Sequence, residues 1–316
     1  MSQPFEKARL FRKILMVMAI GLLAGCNVSG LIALGREQPV ERQLPGVPQP
    51  TSVESAVLRQ YLMQVQNAQL SQGLLRRDGG GVDTPFTPMQ LAQNFEQIAF
   101  YSEYSNTFSG IGGRSPLRRW DTPVRIGVVF GAGVSADQRS KDRAHIAAYA
   151  ERLSRVTGHS ILFRGQPNFA VVIASEDDRS DALAKAAAAV EGVSTDSLDA
   201  FRDLGRDTYC AVAAFHGGSD PNTHTAAVAL IRSENPDLLR LSCIHEELAQ
   251  GMGLANDSPR ARPSIFNDDD EFALLTYHDE LLLRLLYDLR LRPGMLAAEA
   301  APLAQIIAQE LMSNAL

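Results

Sequence analysis

Apolar positions recur along this chain at two periods, and the change from one to the other outlines its elements. Val53, Ala56, Leu58, Leu62 and Val65 stand at helical spacing behind the cap residues Thr51 and Ser52, until Asp78-Gly79-Gly80-Gly81 breaks the pattern. A second short helix is expected from Thr87-Pro88, with Leu91, Phe95 and Ile98 on one side. After Trp120 strands and helices alternate. Val124 to Phe130 (VRIGVVF) reads as a strand, and Ser135 to Thr157 as an amphipathic helix facing inward through Ile146, Tyr149, Leu153 and Val156, with Gly158 as its stop. Phe169 to Ala174 (FAVVIA) reads as a buried strand and Asp181 to Val190 as an alanine-rich helix. Tyr209 to Phe215 and Thr225 to Ile231 read as two strands joined by the turn-rich loop HGGSDPNTH. The rest is mostly helical: one helix opens at Pro236 and ends near Gly251 or Gly253, and another opens on the capping box Thr276/Asp279. This order predicts an α+β fold, a mixed sheet with helices over residues 115–316, behind a helical prefix at 51–114. No internal repeat is present.

The first fifty residues carry an address. Lys7, Arg9, Arg12 and Lys13 form a basic front, and Ile14 to Leu23 is an apolar run too short to span a bilayer. The following LAGC (Leu23 to Cys26) resembles the lipobox of bacterial lipoproteins, which implies cleavage before Cys26 and lipid attachment at that residue. Residues 1–25 are thus expected to be a signal peptide, and 26–50, rich in Gly and Pro, a flexible tether. The mature protein is expected in the cell envelope, facing the periplasm and held to the membrane by acyl chains. By the same resemblance, Asn27 in place of Asp after the cysteine leans towards the outer membrane.

Composition narrows the partners. The chain has 316 residues, 45% of them hydrophobic, enough to bury a substantial core. A net charge of -6 without any run of interleaved basic and aromatic residues argues against nucleic acid as a partner. The membrane, an envelope protein or peptidoglycan is expected instead. Apart from Cys26 the only thiols are Cys210 and Cys243, and in a compartment that permits oxidation a disulfide between them is the economical expectation. A catalytic cysteine and a pair of buried free thiols are the alternatives.

The candidate chemistry lies in CIHEELAQGMGLANDS, from Cys243 to Ser258. On a helix there, Leu241, Ile244, Leu248 and Met252 form one stripe, while Glu246 and Gln250 project together from the opposite side, flanked by Glu247 and Cys243. His245 falls beside the apolar stripe, where a lone histidine is more often a core residue bonded to a backbone group than a ligand. The zinc-peptidase pair of histidines four apart is absent, since Ala249 follows His245 at that distance. Anchored on Gly253-Leu254, however, the stretch resembles the metzincin consensus H-E-x-x-H-x-x-G-x-x-H. Glu246, Gln250 and Asn256 then occupy the three histidine positions, Glu247 the general-base position and Gly253 the glycine. PSIFND (Pro263 to Asp268) stands where metzincins have their methionine turn, with Phe266 in place of the methionine, and LTYHDELLLRLLYD resembles their terminal helix.

A denser resemblance runs from Trp120 through CIHEELAQGMGLANDS, RPSIFNDDDEFALLTYHDELLLRLLYD and RLRPGM. In these stretches the chain resembles a bacterial family catalogued as domain of unknown function 2927, whose members are secreted or lipidated. Together the two resemblances imply a zincin-like domain with a central helix of the active-site type and C-terminal helices.

Zinc prefers imidazole and thiolate, so a Glu246, Gln250 and Asn256 set is expected to bind it poorly; an oxygen-rich set suits a harder divalent cation. Asp257 and the run Asp268-Asp269-Asp270-Glu271 add oxygen donors, although acidic runs are usually solvated loop. No G-x-S-x-G elbow is present, DGGG lacks the Lys and Ser/Thr of a phosphate loop, and FHGGSD is better read as a hairpin connection than as an oxyanion loop. Two functions remain. One is a lipid-anchored envelope protein with a degenerate metzincin-like domain that binds or organises without catalysis. The other is a hydrolase of peptide or peptidoglycan bonds, with Glu247 as general base beside an atypical metal or water site. The sequence leaves open whether the chain is an enzyme.

Overall fold

The computed structural model describes residues 51–104, 111–217 and 220–313. The expected leader, the expected lipidation residue Cys26 and the expected tether lie outside these.

The helices begin where their capping chemistry allows. Helix α1 (Val53–Ser71) is capped by Ser52, whose hydroxyl accepts from Ser55 N, and α2 (Pro88–Ala99) by a Thr87/Gln90 capping box with proline in its first turn. A short antiparallel pair follows, β1 (Tyr101–Tyr104) with β2 (Ile111–Arg114). Then come β3 (Val124–Phe130), α3 (Ala136–Thr157) ending on left-handed Gly158, β4 (Ile161–Leu162), β5 (Phe169–Ala174), α4 (Arg179–Ala189), a 3-10 turn (Asp196–Phe201), β6 (Cys210–His216) and β7 (His224–Arg232). Three helices close the chain: α5 (Asp237–Gly251), α6 (Tyr277–Leu286) and α7 (Ala297–Ser313).

Five strands form one mixed sheet in the order β4-β3-β5-β7-β6, parallel throughout except for the β6–β7 hairpin at one edge. The fold is α+β, as the element order predicts. Alternation along the two central strands sorts the core. Phe169, Val171 and Ile173 with Ala227, Ala229 and Ile231 face α3 and α5, while Ala170, Val172 and Ala174 with Ala226, Val228 and Leu230 face α4 and the 3-10 turn. Burial on both faces is why FAVVIA is apolar at every position. The inner residues Leu91, Phe95 and Ile98 of α2 join the first of these cores, together with Leu281, Leu285, Ala304 and Ile307 of α6 and α7.

Helix α1 is attached differently. Only Leu58 and Leu62 among its apolar residues are buried, and Val53, placed inward by helical spacing, is 81% exposed. Polar contacts hold it: Ser52 N donates to Asp177 Oδ2 (3.0 Å), Ser55 Oγ to the buried Glu234 Oε1 (2.6 Å), and Gln69 Nε2 to Asp270 Oδ2 (2.7 Å). Glu234 also accepts from Glu176 N at 2.9 Å, and its burial pushes the carboxyl pKa up.

Cys210, opening β6, is bonded to Cys243 in the second turn of α5, with Cα atoms 5.9 Å apart. The bridge closes a loop with a sequence separation of 33, which by chain-entropy reasoning stabilises the fold by about 3–4 kcal/mol. Cys243→Ser is therefore expected to lower the unfolding free energy by that amount, seen as a lower denaturant midpoint, and reductant is expected to lower the wild-type midpoint to match. A midpoint indifferent to both would show that the bridge adds nothing.

Candidate functional site

Helix α5 runs beneath the hairpin edge of the sheet, and its amphipathic appearance is misleading. Leu239, Arg240, Cys243, Ile244, His245, Glu247, Leu248, Ala249 and Gly251 are all buried, so the helix is enclosed on most sides. Its end is fixed by glycines. A Cβ on Gly251 would lie 2.5 Å from Phe169 Cζ, and the Trp120 indole donates to the Gly251 carbonyl at 2.8 Å. Gly253 has φ +122°, and a Cβ there would lie 2.3 Å from the Arg118 carbonyl oxygen. No other residue combines that backbone with that approach. The glycine assigned from the motif is thus the point where the chain leaves the helix.

The acids gather against the disulfide. Carboxylate oxygens of Glu246 and Glu247 and the sulfur of Cys210 all lie within 4.8 Å of one another. Glu246 is half-buried, whereas Glu247 is only 4% exposed. Because the sulfur of Cys210 is committed to the disulfide, it offers no thiolate, and the group's anionic donors are two carboxylates. That donor set does not fit zinc. Gln250 follows half-buried one turn after Glu246, and the Asn256 amide nitrogen donates to Gln97 O of α2 (3.0 Å) and to Asp257 O (2.8 Å). Among acidic, histidine and cysteine side chains, the structure thus groups Glu246 with Glu247.

His245 is occupied structurally. Its Nδ1 accepts from Leu275 N (3.1 Å), its ring stacks on Tyr149 at 4.0 Å, and Tyr149 donates to its carbonyl (2.8 Å). Burial, with Arg152 and His145 adding to it, lowers its pKa to about 3. The acidic run is mainly loop surface: Asp268, Asp269 and Asp270 are exposed, and Glu271 pairs with Arg76 and Arg262.

Phe266 is fully buried, and its carbonyl accepts from Ser258 N at 2.8 Å, tying the stretch after α5 to the turn. The buried Asp279 fixes that turn. It accepts from Ser264 Oγ (2.5 Å), Ile265 N (3.1 Å) and Thr276 N (2.9 Å) while completing the α6 capping box expected from the sequence.

Sequence reasoning missed one further pair, His216 and His224. They are register partners across the β6–β7 hairpin, with Nδ1 atoms 3.2 Å apart and rings stacked at 5.0 Å. Burial chiefly, then His216 and Arg118, brings the His224 pKa down to about 3. The sequence shows histidines bracketing the connecting loop, but they face each other only through the register shift between Phe215 and His216, without which His216 would oppose Thr225.

These features define an α+β domain with a mixed sheet, a glutamate-bearing helix bridged to the sheet edge, and a turn held by a capping aspartate. The chain belongs to the family described as protein of unknown function DUF2927, whose model matches residues 88–306. No curated protein and no solved structure matches it.

Proposed function

We propose that this is a lipid-anchored protein of the cell envelope whose degenerate metzincin-like domain serves binding or envelope organisation rather than catalysis. The carrying observation is the composition of the site. Where the zincin likeness needs imidazoles around a metal, this chain has two carboxylates packed against a disulfide, and its nearest histidine is spent on Tyr149 and Leu275. The likeness itself is supported by element order: an edge hairpin leading into the glutamate-bearing helix, a glycine exit, a buried turn at Phe266 and a terminal helix. Among the described residues no helix is long and apolar enough to cross a membrane, and in this reading the LAGC cysteine supplies the anchor.

The side-by-side placement of Glu246 and Glu247 favours one second reading, a hydrolase of peptide or peptidoglycan bonds, because carboxylates in such proximity are suited to general acid and base work. Glu247→Gln separates the two. Under the binding reading the variant folds with a loss of about 1–3 kcal/mol, and neither it nor the wild type cleaves casein or peptidoglycan. Wild-type cleavage that disappears in an equally folded variant would establish the hydrolase. For the anchor, Cys26→Ser is expected to abolish labelling by radioactive palmitate and move the protein from the membrane to the soluble fraction. Persistent labelling would refute the assignment.

A further inference from the structure

The edge of the sheet away from the hairpin is only partly covered. Strand β4 is two residues long, pairing Ile161 with Val124 and Leu162 with Arg125, and no other described strand continues it alongside Ile126–Phe130. In a parallel ladder alternate residues direct their N–H and C=O to the same side. Val124 N donates to Ser160 on the β4 side, whereas Arg125 O accepts from Asn168 N and Gly131 N donates to Ile173 O on the β5 side. Val128 and Phe130 therefore turn their N–H and C=O groups to the open edge. After Leu162 the chain crosses to β5 instead of extending the strand, with Pro167 packed on Gly127, where a Cβ would lie 2.8 Å from it.

Beside this edge lies a surface hollow of about 630 Å³, lined by Phe163 and by α3 residues that include Arg139, Arg143, Ala144 and Ala147. Both guanidiniums sit over the half-buried Phe130 ring, at 5.7 Å (Arg139) and 5.3 Å (Arg143) from its centroid. The exposed Arg164 follows Phe163 in the chain, while the neighbouring Lys141 is paired with Asp137. A local excess of arginine on a protein of net charge -6 selects for an acidic occupant. We infer that the open edge of β3 captures an extended acidic peptide segment of a partner protein, which adds a strand beside Val128–Phe130 and lays its carboxylates on the exposed Arg143, and on Arg139 only through Nη1, since its Nε and Nη2 already donate to the Val134, Gly131 and Ala132 carbonyls. Main-chain hydrogen bonds would supply affinity and the arginines selectivity. This site is independent of Glu246 and Glu247, so its failure would leave the reading of that site standing.

The test uses the full chain in detergent and a short fluorescein-labelled peptide of alternating Glu and Val, with its Lys–Val counterpart and a version N-methylated at alternate residues. By fluorescence anisotropy the Glu–Val peptide is expected to saturate and the other two not. Arg143→Glu and Ala144→Trp, both at exposed positions, are expected to weaken binding by about tenfold or more, and salt to weaken it further. Amide exchange at Val128 and Phe130 is expected to slow on binding. Absence of saturation, equal binding of the N-methylated peptide, or unchanged exchange at those amides would overturn the inference. So would a concentration-dependent dimer dissolved by Ala144→Trp, which would show the edge taken by a second copy.

Discussion

Acidification is expected to unfold this protein through two histidines. His224 and His245 are buried as neutral bases with pKa values of about 3, whereas in the unfolded chain an imidazole titrates near ~6.5. The folded pKa values are depressed, so the unfolded state takes up protons first. The stability from these groups is complete above about pH 6.5 and is lost as pH falls towards about 3. Each group contributes a slope of ~1.4 kcal/mol per pH unit, so the pair removes roughly 4–5 kcal/mol between about pH 6.5 and 4.5. Glu234 works in the opposite direction, because its raised pKa makes the folded state take up a proton early, and it offsets part of the loss. Urea midpoints across this range should fall steeply in the wild type and less steeply in His224→Gln and His245→Gln. A flat wild-type profile would mean that these imidazoles are hydrated or paired with an anion.

The second large effect is expected at Asp279. Replacement by alanine removes the α6 cap and leaves Ser264 Oγ, Ile265 N and Thr276 N buried without their acceptor. A lost cap of ~1 kcal/mol and two or three orphaned donors at ~1–3 kcal/mol each predict a loss of about 3–5 kcal/mol once partial relaxation is allowed for. Asp279→Asn, which retains one acceptor oxygen, should lose less. Because the carboxylate also holds the turn at Phe266, amide exchange at Ile265 and Ser258 should accelerate in Asp279→Ala more than exchange in β5. Uniform acceleration would show that Asp279 contributes only global stability.

Capping residues and doubly buried strands were legible in the sequence because their signals are local. Thr87-Pro88 as a helix start, Gly158 as a helix stop, Thr276 with Asp279, and the run FAVVIA each state their role within a few residues. Strand β4 was not legible, since two residues carry no periodicity, and neither was the β1–β2 pair. On α5 the pattern suggested one apolar stripe and a polar back. The disulfide and the hairpin edge close over that back and bury Glu247, which depends on the tertiary placement of β6 and not on helical spacing. The same placement made Glu246 and Glu247 partners although successive helical positions diverge.

The attachment of α1 has a mechanical consequence. Load arriving from the segment before Ser52 enters the domain at the Ser52–Asp177 and Ser55–Glu234 contacts, which cluster in the first turn, while Leu58 and Leu62 lie further along the helix. In the anchored protein proposed above, a pull from that end would bear on these two first-turn contacts before it reached Leu58, Leu62 and the Gln69–Asp270 bond further along the helix.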